Sequence, residues 1–279
     1  MAWRTPDGST ADDVPGYTRP LPEPGQQPWQ PLTGRPYRSR KRRYLKRAAI
    51  TLLSLVVIAA LAAGALYVLT PSAGEAAQLA QQQAQQHGIA YPGPSVPQNF
   101  ARPLVATEDH RFYSEPGVDL FAVGRVIESK LTGGQDQGGA TIEQQLAKLL
   151  YTPGQTSLKA ELEQVALAVK LNNTYSKQQI LRLYAEVAYY GHGYYGLEQA
   201  SCGYFGHPAS ELTVVQGAML AGVVNAPSID DPINDPVNAR ARLTHVIDRM
   251  AAVGYLTKAQ ATQALAAPLG IVSRADSGC

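Results

Sequence analysis

The 279-residue sequence predicts a mainly α-helical protein, with a helical domain behind a single membrane-spanning helix. Three observations carry that reading. Apolar residues recur at helical spacing through most of the chain beyond residue 150. No segment alternates with period two for long, so strands should be few. One run, residues 48–70, holds 23 residues without a charge. The composition agrees: 45% hydrophobic and 16% charged residues exclude a disordered chain and suffice for a core.

The elements follow in order. Residues 1–47 are Pro-rich, lack apolar periodicity and read as a disordered tail. They hold ten Lys and Arg against four Asp and Glu, whereas the rest holds 14 against 18. That split excludes a uniformly basic nucleic-acid binder, so no nucleic-acid partner is expected. Seven cationic side chains lie in the ten residues from Arg38 to Arg47, directly before the apolar run. At about 1.5 Å per residue that run crosses a hydrocarbon layer of about 30 Å. It is longer than a signal-peptide core, so an uncleaved single-pass anchor is expected. The basic side should be cytoplasmic and everything after Thr70 extracytoplasmic. Residues 71–98, Ala/Gln-rich and then Pro-rich, read as a juxtamembrane linker, helical around residues 75–86.

The working domain is then residues 99–270, followed by a tail over 271–279. Within it Leu158, Leu162, Val165, Ala166 and Val169 form one helical stripe. Ser176 and Gln179 have the spacing of a capping box. They open a helix whose Ile180, Leu183, Tyr184 and Val187 share a face. Gly191 and Gly193 stop it. Thr213 opens another apolar helix, ended near Asn225 and Pro227, and helices over 239–253 and 257–266 follow, separated by Gly254. Cys202 and Cys279 are too few for a disulfide scaffold or a four-cysteine zinc site; a bridge between them has only the count in its favour. Cys202 reads most simply as a small buried hydrophobe.

The chemistry narrows by exclusion. The sequence has no P-loop, no H-E-x-x-H and no G-x-S-x-G, and its five histidines never fall at metal-ligand spacing. Residues 191–196 spell G-x-G-x-x-G but follow a helix, which excludes the dinucleotide reading. Two features remain. Glu108 and Asp109 are adjacent carboxylates after an apolar stretch. A carboxylate beside apolar walls suits general acid–base work, although acids also favour helix N-termini. The second feature is Gly138-Gly139 entering a helix, whose N–H groups could bind an anion. Thr141, Gln144, Gln145 and Lys148 then lie on one face, as a solvated stripe or as a phosphate or sugar cleft.

Together these segments resemble the peptidoglycan glycosyltransferases, glycosyltransferase family 51. The family's first motif, Glu-Asp-x-x-Phe-x-x-His-x-Gly, is matched by Glu108, Asp109, Phe112 and Gly117. Its second, Gly-Gly-Ser-Thr-Ile-x-Gln-Gln with a following lysine, is matched by Gly138, Gly139, Thr141, Ile142, Gln144, Gln145 and Lys148. Residues 176–184, 190–196, 204–206, 220–222 and 226–227 continue in order. Arg242, Val246, Ile247 and Met250 resemble the last motif. The resemblance implies a lysozyme-like helical fold on a single-pass anchor. The implied activity is inverting polymerisation of lipid II into glycan strands with release of undecaprenyl pyrophosphate. Glu108 would be the catalytic base. Asp109, Phe112, Arg125, Thr141, Gln144, Gln145, Lys148 and Glu163 would contact substrate. It also implies Mg²⁺ or Mn²⁺ with the pyrophosphate, no tightly bound cofactor, and the membrane and other cell-wall synthases as partners. Too few residues follow the last expected helix for a transpeptidase domain, so a monofunctional enzyme is expected.

Departures from the family pattern point to a second reading. Glu115 replaces the first-motif histidine, and Glu186 an asparagine. The third motif, Arg-Lys-x-x-Glu, aligns with Ala160, Glu161, Leu162, Glu163 and Gln164, with Lys159 and Glu163 only near it. The alternative is therefore a catalytically degenerate relative that binds lipid II or glycan as a scaffold or regulator. A lytic glycosidase on the same kind of fold is a third reading.

Overall fold

The computed structural model describes residues 40–119, 128, 132–133, 139–272 and 279. It divides into two units, residues 1–55 and 56–279. Helix α1 (Arg40–Leu69) includes the charge-free run and begins in the basic stretch before it. Its most apolar window has a mean hydropathy of 2.6 and is 0% buried, so the helix is long and apolar enough to cross a membrane.

The second unit is helical, and among the described residues the only β pairing is an isolated bridge between Tyr189 and Tyr195. Helix α2 (Ala76–Gln86) falls where a helical linker was expected. It is more than a linker, because Ala76, Ala80 and Ala84 are buried and Ala76 and Ala80 join the hydrophobic core. Gln83 further donates to the Leu149 carbonyl at 2.8 Å. Small side chains at i, i+4 and i+8 make a flat stripe that packs closely, and an Ala/Gln composition hides that stripe from a hydropathy reading.

The centre of the unit is α8 (Val214–Val223), where every residue from Val215 to Val223 is buried. A helix apolar on all sides must be surrounded. On one side it meets α3 (Gln98–Glu108) at Gly217, where a Cβ would fall 1.8 Å from the Asn99 carbonyl oxygen. On another lies α9 (Pro236–Ala252), which buries Leu243, Val246, Ile247 and Met250. Three further helices, α4 (Ile142–Tyr151), α5 (Leu158–Thr174) and α6 (Lys177–Val187), pack against one another beside this core. Among the described residues the remaining α-helices are α7 (Leu197–Phe205) and α10 (Lys258–Ala266).

Helix starts are set by side-chain caps. Ser176 and Gln179 form the expected capping box, and the same arrangement recurs at Thr141 with Gln144, Thr213 with Gln216 and Thr257 with Gln260. After α6 the chain turns through left-handed conformations at Gly191, His192 and Gly193. Only a residue without a Cβ fits at Gly191, where a Cβ would approach the Pro227 carbonyl oxygen to 2.7 Å. Cys202 is not a free thiol: it forms a disulfide with Cys279, 77 residues away.

Candidate active site

Glu108 is the last residue of α3, and its carboxylate meets three donors. Arg242 Nη2 from α9 donates to Oε1 at 2.9 Å. Asn225 Nδ2, just past α8, and Gln145 Nε2 from α4 donate to Oε2 at 2.9 and 3.1 Å. Tyr184 of α6 in turn donates its hydroxyl to Gln145 Oε1 at 2.9 Å, which fixes the orientation of that amide. Four separate elements therefore aim one carboxylate. Its setting is polar, unlike the apolar walls expected from the preceding residues. A carboxylate offers about four lone-pair directions, so with three occupied it can still accept one proton from a ligand.

Asp109 turns away from Glu108. It is buried and accepts the Ile142 N–H on Oδ2 at 3.1 Å, joining the end of α3 to the start of α4. Thr141 is also buried, its hydroxyl bonded to the Gly117 carbonyl and to the Gln144 N–H. Gln144 returns its own Oε1 to the Thr141 N–H. The N–H groups of Thr141, Ile142 and Gln144 are thus satisfied within the protein. The cap and Asp109 therefore occupy the N–H groups of Thr141, Ile142 and Gln144 and leave none of the three for an anion.

A cleft of about 1080 Å³ opens beside Glu108. Gln144, Gln145 and Lys148 line it from α4, with Lys148 exposed on the wall. Glu161 and Gln164 line it from α5, and Arg242 from α9. Phe112 does not line it. That ring is fully buried in the core, with Lys177 Nζ 4.5 Å from its centroid, so Phe112 is a packing residue. Glu163 also lies off the cleft wall and is paired with Lys159 at 3.6 Å, one turn back on the same helix. The cleft faces Glu161 and Gln164 instead, and Gln164 donates to Thr152 Oγ1 at 2.8 Å. Arg125 and Gly138 lie outside the described residues.

The other two departures from the motif pattern lie away from the cleft. Glu186 accepts the Gly93 N–H at 2.7 Å and Arg182 Nε at 3.0 Å, so it fastens the loop before α3. Glu115 is buried, and burial followed by the Asp109 carboxylate pushes its carboxyl up to about 8. Three residues that hold the site escaped the sequence reading. Arg242 carried a signal, its match to the last motif. Asn225 looked like a helix terminator and Tyr184 like one more member of an apolar stripe, because a contact between distant elements leaves no local pattern.

Fold and site define a class of helical domain built around a carboxylate at a helix end and a cleft alongside it. The chain belongs to the transglycosylase family, whose model matches residues 75–251, and the resemblance carried by the motifs is borne out. Among curated relatives it is similar to penicillin-binding protein 2a of Streptococcus pneumoniae, 38% identical over 169 residues, 61% of this chain and 23% of that protein. Penicillin-binding protein 1F of Bacillus subtilis is 36% identical over 177 residues, 63% of this chain and 25% of the relative. Penicillin-binding protein 1A of Mycobacterium tuberculosis is 37% identical over 159 residues, 56% and 19% of the two chains. The chain thus spans a quarter or less of the length of these relatives. A crystal structure of penicillin-binding protein 1A from Haemophilus influenzae matches 35% of this chain and 14% of its own at 33% identity, with a TM-score of 0.33.

Proposed function

We propose that this domain is a membrane-anchored peptidoglycan glycosyltransferase that polymerises lipid II and releases undecaprenyl pyrophosphate. The observation that carries the reading is the Glu108 carboxylate, held at the cleft by Arg242, Asn225 and Gln145 with one acceptor direction left. A sugar hydroxyl in the cleft can donate to that direction. As its oxygen attacks the anomeric carbon of the growing strand, the proton passes to Glu108. Attack opposite the departing group inverts the anomeric centre, and the electron pair of the broken bond leaves with the lipid pyrophosphate.

That leaving group gathers negative charge, so cations aimed at it lower the barrier. Lys148 on the cleft wall can serve. A divalent ion on the pyrophosphate fits the remaining donors, since Glu161 offers a carboxylate on the same wall. Its chemistry would be charge neutralisation. The apolar, uncovered α1 supports anchoring, with the basic flank inside and the domain outside. The Cys202–Cys279 disulfide supports the same orientation, because such bonds persist on the oxidising side.

The test is polymerisation of labelled lipid II by the full chain in detergent with Mg²⁺. Glycan polymer is expected, and Glu108→Gln should abolish it while leaving the melting temperature in place. A specific observation favours one other reading. Glu161 stands on the cleft wall where the third motif has a lysine, so one cation fewer meets the charge that develops on the leaving pyrophosphate, which suits a protein that binds lipid II without turning it over. Bound lipid II without polymer would decide for that reading and against the enzyme.

A further inference from the structure

On the side of Asp109 away from the cleft, three buried carboxylates converge. Asp109 follows α3, Glu115 lies in the turn beyond it, and Glu143 stands in the first turn of α4; they are 7%, 9% and 0% exposed. One oxygen of each lies within 4.8 Å of the others. Lys177, at the start of α6, is the cation beside them. Its Nζ donates to Glu143 Oε1 at 2.6 Å and to the Glu115 backbone carbonyl at 2.9 Å. The Ile142 N–H occupies Asp109 Oδ2. After these bonds Glu143 Oε2 and both Glu115 carboxylate oxygens have no hydrogen-bond donor among the described residues.

Charge counting sharpens the problem. Three carboxylates and one ammonium leave two negative charges in a region closed to water, a costly arrangement. One proton between Glu115 and Asp109 removes one charge and satisfies that pair. It leaves the second charge in place and Glu143 Oε2 still without a partner. A divalent cation cancels both charges and gives every orphaned carboxyl group a partner at once.

We propose that Asp109, Glu115 and Glu143 form a structural site for a hard divalent cation, Ca²⁺ in preference to Mg²⁺. All three donors are carboxylate oxygens, which select hard ions over Zn²⁺ or Cu²⁺. Oxygens up to 4.8 Å apart can be spanned at Ca²⁺–oxygen distances of about 2.4 Å, whereas Mg²⁺, at about 2.0–2.1 Å, needs the shell to contract. Glu143 bridges, with Oε1 on Lys177 and Oε2 on the ion. None of the three residues lines the cleft, which separates this site from any ion on a pyrophosphate. The bound ion would pin the end of α3 to the start of α4, the two elements that supply Glu108 and Gln145.

The test uses the full chain in detergent, stripped with EDTA and titrated with CaCl₂ by calorimetry and thermal melting. One equivalent should bind and raise the melting temperature. Glu115→Gln and Glu143→Gln should each weaken binding at least tenfold and remove the thermal gain. The metal-free Glu115→Gln form should melt no lower than the metal-free parent, since its amide relieves like-charge repulsion, whereas Glu143→Gln also gives up the ion pair with Lys177 and is read by its calcium affinity. Glu161→Gln, on the cleft wall, should bind Ca²⁺ as the parent does. No binding by the parent, or unchanged binding by both buried variants, overturns the proposal. Neither result bears on polymerisation, so this site and the proposed reaction stand or fall separately.

Discussion

At the scale of single residues, the site depends on how firmly Glu108 is aimed. Arg242 reaches it at 2.9 Å and also lies 3.9 Å from Asp230, so one guanidinium separates two carboxylates. Arg242→Ala would leave both acids without that cation and let Glu108 swing. Polymerisation should fall at least about tenfold, or about 1.4 kcal/mol of transition-state stabilisation. Arg242→Lys restores charge without the two-point reach and should recover only part of the rate. Initial rates on lipid II for the two variants check this, and equal rates for Arg242→Ala and the parent would refute it. Glu108 itself was legible in the sequence because motif spacing survives without structure. That Phe112 is buried in the core and Glu163 lies off the cleft wall was not legible, since a motif records that a residue is present and not where its side chain goes.

At the scale of elements, caps and periodicity explain most of what the sequence revealed. Ser176, Thr213 and Thr257 all head helices where expected, because capping is local and its partners lie three residues on. What stayed hidden was the work done by small residues. The alanines of α2 and Gly217 of α8 have little hydropathy signal, yet the alanines are buried and Gly217 leaves no room for a Cβ against the Asn99 carbonyl. Gly217→Ala would drive a methyl into the Asn99 carbonyl and force α3, with Glu108 at its end, away from α8. A loss of about 2–3 kcal/mol is expected, the scale of overpacking a tight contact. Thr213→Ala, which removes the cap of the same helix without intruding on α3, should cost about 1 kcal/mol. Denaturant melts of the two variants should therefore differ in the stated order, with Gly217→Ala also slowing polymerisation.

At the scale of the whole unit, the Cys202–Cys279 bond is the one covalent restraint among the described residues, and it closes a loop of 77 residues. That loop encloses α8, α9 and α10, and with them Asn225 and Arg242. Closing so long a loop removes conformational freedom mainly from the unfolded chain, and the loop-entropy relation gives about 4–5 kcal/mol as its upper range. For a unit of this size each kcal/mol shifts the melting temperature by about 2–4 °C. Reduction, or Cys202→Ser, should therefore lower the melting temperature by up to about 10–18 °C. Polymerisation at 25 °C should change little, because the bond touches none of the groups that hold Glu108. Thermal melts with and without reductant, paired with rates at 25 °C, separate the two effects. A rate that collapses while the fold persists would mean that the disulfide shapes the cleft and is more than a brace on the unfolded chain.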